Sequence, residues 1–146
     1  MDYVAPGTNF LMAEFYDPRQ VAEHIKKGDI TAFCTGTGGK FHLRFFMGCP
    51  TDDIFEEFPV SIRLGLDVQG GSVQFCDLFW LSDWDTKFPQ NQMIPLADGY
   101  YEMTVCTFRP KSGYWGDNQT IYIYFNKVEQ MPELTWTGVP YLFTEE

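Results

Sequence analysis

Apolar residues in this chain recur at every second position, and that period dictates pleated strands, whose successive side chains point to opposite faces. In Lys40–Met47, Phe41, Leu43, Phe45 and Met47 share one face, with Lys40, His42 and Arg44 on the other. Val60, Ile62, Leu64 and Leu66 alternate with Ser61, Arg63 and Gly65. In Thr120–Val128, Ile121, Ile123 and Phe125 oppose Tyr122 and Tyr124, so one of those two rows can face outward. Ring-bearing side chains suit such a half-buried pleated surface, and the chain carries 14 Phe, 8 Tyr and 4 Trp.

Further strands are expected at Thr31–Thr35, Ser72–Leu81 and Tyr100–Phe108, with short ones near Leu134–Trp136 and Tyr141–Phe143. Gly36-Thr37-Gly38-Gly39 reads as a hairpin turn between the first strand and Lys40–Met47. Residues 51–58 read as a helical turn or loop, and 82–99 as a long loop. One helix is signalled, at 17–28: Asp17 can accept from the open N–H groups of its first turn, and Pro18 costs nothing at its first position. Lys26 and Lys27 suit the negative end of its dipole, and Gly28 supplies a left-handed stop. Together these features predict one domain over residues 1–146, a mainly β, antiparallel β-sandwich with one short N-terminal α-helix.

Charge narrows the function. The net charge is −10, from 10 basic and 20 acidic residues. Residues 48–102 hold ten acids against only Arg63 and Lys87. So negative a field repels nucleic acid and attracts basic partners. No run of 18 apolar residues and no basic-then-apolar N-terminal segment is present, which predicts a cytoplasmic protein that does not span a membrane. Cys34, Cys49, Cys76 and Cys106 lack C-x-x-C spacing, and three of them sit in apolar runs, so reduced, buried thiols are expected rather than disulfides or zinc.

Catalytic and cofactor motifs fail on inspection. Thr35–Lys40 lacks the first Gly and the following helix of a phosphate loop. His24 and His42 have no Cys at zinc spacing and read as surface residues. Asp83-Trp84-Asp85-Thr86-Lys87 breaks a calcium loop with Lys at its fifth position. No cofactor, metal or enzymatic activity is therefore expected. What remains is acidity beside aromatics: Asp52, Asp53, Glu56 and Glu57 cluster within six positions, and Asp83 and Asp85 flank Trp84. These seven residues are the candidate partner-binding surface, with Trp84 as anchor and the carboxylates set against Lys and Arg.

The stretch Ile94-Pro95-Leu96-Ala97-Asp98-Gly99-Tyr100-Tyr101-Glu102-Met103-Thr104-Val105, followed by Thr120-Ile121-Tyr122-Ile123-Tyr124-Phe125 and Glu133-Leu134-Thr135-Trp136, resembles small bacterial β-sandwich proteins of the competence nuclease inhibitor and toxin-immunity type. That resemblance implies inhibition of a cognate nuclease by tight binding. With the charge, it leads to an expected inhibitor or immunity protein that occludes the site of a basic toxin or nuclease, and a monomer or homodimer is expected. The alternative expectation is a module that binds a carbohydrate or other small ligand on an aromatic face drawn from Trp80, Trp84, Trp115, Tyr100, Tyr122 and Tyr124. A third is an assembly subunit.

Overall fold

The computed structural model describes residues 5–53, 60–77, 80–81, 83–84, 90–132 and 138–142. Two helices, α1 (Phe10–Glu14) and α2 (Pro18–Lys27), precede six strands: β1 (Phe41–Met47), β2 (Val60–Val68), β3 (Ser72–Gln74), β4 (Met93–Pro95), β5 (Gly99–Thr107) and β6 (Gln119–Val128). The chain is mainly β, with one sheet ordered β1-β6-β5-β2 and a second of β3 and β4.

Helix α2 forms as its end signals require. The Asp17 side chain accepts from Arg19 N at 2.8 Å, and Gly28 closes the helix at φ 82° while donating to His24 O. The Gly28 carbonyl then accepts from Asp67 N at 2.8 Å, which ties the helix end to β2. A short α1, capped by Asn9, was not signalled by periodicity, because five residues are too few to display one.

The sheet departs from the antiparallel expectation. β2, β5 and β6 pair antiparallel, but β1 lies parallel to β6, with Phe41 opposite Gln119 and Met47 opposite Phe125. The cause lies just before β1. Thr31–Thr35 is not a strand, and 36–39 does not turn a hairpin; instead Cys34 bridges Tyr141. Segment 38–40 packs backbone to backbone on Gly116, with Lys40 N donating to Gly116 O at 2.8 Å. The chain therefore enters β1 beside the start of β6, running the same way. Residues 82–99 likewise hold more than a loop, since β4 lies within them. Within the expected strand Ser72–Leu81, Ser72–Gln74 forms a strand and 75–77 does not, while 78 and 79 lie outside the described residues, as do 134–136.

One face of the four-stranded sheet carries the main core: Leu64, Leu66 and Val68 from β2, Tyr101, Met103 and Val105 from β5, and Ile121, Ile123 and Phe125 from β6. Each such side chain contributes roughly 1.5–3 kcal/mol on leaving water. Val73, Phe75 and Leu96, from in and around the small sheet, pack on this face, and the Phe75 ring meets Phe45 at 4.9 Å. A second cluster joins Phe10, Phe15, Val21 and Ile25 to Leu81 and Trp84.

Candidate functional site

The described acidic candidates sit on two different segments of the chain. Asp52 and Asp53 lie in the stretch that leaves β1 and are exposed. Asp83 is exposed too, but in a different setting. Its neighbour Trp84 is pinned by two backbone bonds to the N-terminal segment, Gly7 N to Trp84 O at 2.7 Å and Trp84 N to Thr8 O at 3.1 Å. Trp84 is 9% exposed, its ring 6.2 Å from that of Phe10. Trp84 was expected to anchor a partner; the structure instead places its indole in the small core with Phe10, Phe15, Val21, Ile25 and Leu81. Its two backbone bonds fix the backbone next to Asp83. Glu56, Glu57 and Asp85 lie outside the described residues.

Ion pairs among the described residues engage other groups. His24 Nδ1 lies 2.8 Å from Asp29 Oδ1, Lys27 Nζ lies 3.8 Å from Asp29 Oδ2, and Arg63 Nε lies 3.3 Å from Glu102 Oε1. Asp52, Asp53 and Asp83 belong to none of these. His24 corrects its reading as a surface residue: its side chain is 17% exposed and stands against Phe10 and Phe15 at 5.6 and 6.1 Å. His42 is exposed, as read. Among the described residues no three His, Cys, Asp or Glu side chains gather as a metal ion would require.

The outward face of the sheet holds a feature that the sequence only half revealed. Tyr122 and Tyr124 point outward, opposite the buried isoleucines, and Phe46 pairs in register with Tyr124. The Phe46 ring stacks on Tyr124 at 4.9 Å and 19°, and on Tyr122 at 6.2 Å and 17°. Phe108 extends the row, 6.3 Å from Tyr122 at 29°. Arg44 lies opposite Tyr122 on the same face. Phe46 could have been assigned to this row, since it follows His42 and Arg44 at even spacing. Phe108 also lies at even spacing from Thr104 and Cys106, which pair with Tyr124 and Tyr122, although β5 ends one residue before it. The tryptophans do not join the row: Trp80 and Trp84 belong to the small core, while Trp115 packs on the main core beneath the Arg109 guanidinium, 5.3 Å from its ring centre.

The thiols differ in environment. Cys49 and Cys76 are exposed, Cys34 is half-buried and Cys106 is buried, and all are free. Burial pushes the Cys106 thiol up to about 11. At Cys76 the surrounding chain desolvates the sulfur and Asp77 adds its charge, so that thiol also rises to about 11. Neither is a thiolate nucleophile near neutral pH. Among the described residues no helix is long and apolar enough to cross a membrane.

The chain matches no family model, no curated protein and no solved structure.

Proposed function

We propose that this chain is an acidic binding protein, an inhibitor or immunity protein that occludes the site of a basic toxin or nuclease. The observation that carries the reading is the state of its carboxylates. Asp52, Asp53 and Asp83 are exposed and join no ion pair among the described residues, within a stretch, 48–102, that holds ten acids and two bases. Like charges held at a folded surface repel one another, and a basic partner relieves that repulsion as it docks. Such complementarity accelerates encounter and selects the partner's sign of charge. The backbone bonds of Trp84 fix the chain next to Asp83.

The test is capture from lysate of the native source, followed by the double reversal Asp53→Lys with Asp83→Lys. A basic partner should be retained at low salt, weakened at about 0.5 M salt, where the screening length falls to roughly 4 Å, and lost from the reversed variant. If that partner is a nuclease, its activity should fall on adding the parent protein. A partner whose binding ignores both salt and charge reversal refutes the proposal.

The stacked row Phe46, Tyr122, Tyr124 and Phe108 favours a second reading, a small-ligand module. Ring-on-ring stacking already covers much of these ring faces, which weighs against a sugar platform. Calorimetric titration with oligosaccharides separates the two readings, because only the module gives heat.

A further inference from the structure

The strand β1 presents a second surface, independent of the acidic residues above. It stands at one end of the order β1-β6-β5-β2, and among the described residues no strand pairs with its outer side. The hydrogen bonds at its two ends say which groups point that way. Lys40 O accepts from Gln119 N at 3.0 Å, and Gly48 N donates to Phe125 O at 2.7 Å. Backbone groups alternate along a strand, so residues 42, 44 and 46 also bond to β6. The N–H and C=O groups of Phe41, Leu43, Phe45 and Met47 therefore face outward.

Edge strands in folded proteins are usually blunted by brevity, proline, bulges or inward charges. β1 has seven residues without proline, and its odd positions are all apolar. Three of its apolar side chains stand in water: Leu43 at 36%, Phe46 at 39% and Met47 at 68% exposure. Its charge also runs against the rest of the molecule. The stretch 40–47 carries Lys40 and Arg44 and no acid, in a chain of net −10.

We propose that the outer edge of β1 accepts an extended peptide segment of a partner protein, one that alternates apolar and acidic residues. Its apolar side chains would continue the row of Leu43 and Phe45, and its acidic ones would fall opposite Arg44 on the other face. Directly opposed side chains in a sheet sit about 5 Å apart, close enough to pair. Main-chain bonds supply affinity, and the alternation supplies selectivity. A second copy fits poorly, because the most overlapping antiparallel register sets Arg44 directly on Arg44.

The test titrates the full chain with two synthetic peptides, one alternating valine with glutamate and one alternating valine with lysine, followed by amide NMR. The glutamate peptide should bind saturably and roughly tenfold tighter, as expected when a facing pair changes from opposite to like charge. Leu43→Pro removes an outward N–H, which an edge strand tolerates, and should abolish binding while the β5 and β6 signals stay in place. Arg44→Glu should reverse the preference between peptides, and it decides the matter alone if the proline variant does not fold. Binding that survives Leu43→Pro in a folded chain, equal affinity for both peptides, or no saturable binding of either overturns the proposal. So does a dimer of the parent chain that Leu43→Pro dissociates, since the occupant is then a second copy.

Discussion

Replacing Gly39 with alanine tests how this chain sets the direction of β1. A Cβ at Gly39 would meet the Gly116 carbonyl oxygen and lie 2.7 Å from the Gly116 Cα, where ordinary contact begins at 3.4 Å. Both partners are backbone, so the two segments must part by more than half an ångström. The Lys40 N–H bond to Gly116 O, now 2.8 Å, is then strained or lost, at about 1 kcal/mol. Gly116 N also donates to Gln119 Oε1 at 2.9 Å, and Gln119 is 1% exposed, so a displaced Gly116 leaves a buried acceptor unmet at roughly 1–3 kcal/mol. Alanine restricts the unfolded chain, which returns about 0.4–1 kcal/mol. The net expectation is a loss of about 1–3.5 kcal/mol, centred near 2. Gly38→Ala is the control, because a Cβ there meets nothing within 4 Å. Neither glycine has positive φ, so backbone strain does not separate the two variants. In urea, with a slope of about 2 kcal/mol/M, the Gly39→Ala midpoint should fall by about 1 M while that of Gly38→Ala stays near the parent. Coincident midpoints for the two variants would refute the argument.

Two further outcomes follow from burial. Trp84→Ala should lower stability by about 3–5 kcal/mol in the same assay, because it empties a packed position in the small core; a loss under about 1 kcal/mol would mean that the indole is not packed there. Cys106 starts from 9.0 and is raised to about 11, so the folded state holds its proton longer than the unfolded chain does. Its contribution is full below about pH 9 and is lost as pH climbs toward 11. Cys106→Ala should therefore flatten that part of the stability profile, and thiol titration of the native parent should label Cys49 well before Cys106.

The Trp84 and Gly39 predictions concern places where the sequence pointed elsewhere, to a docking anchor and to a hairpin turn. Its alternation located β2, β5 and β6 to within about two residues, because a period of two is a local property of the chain. The ends of α2 were legible for the same reason: Asp17, Pro18 and Gly28 act on backbone groups within one turn of themselves. The excess of acid in 48–102 was also plain, and with it the sign of charge sought in a partner.

Only the tertiary structure decided how those pieces meet. The parallel placement of β1 depends on Gly39 lying against Gly116, a contact across 77 residues that no local pattern encodes. Trp84 has the same neighbours in sequence whether it faces solvent or core, and it was the apolar surface of Phe10 and its cluster that drew it inside. The row of Phe46, Tyr122, Tyr124 and Phe108 required the register between β1 and β6 as well as the exit from β5. Local chemistry determined which segments became helix and strand; long-range packing, in which each face must find an apolar partner, determined which residues were left to face a partner.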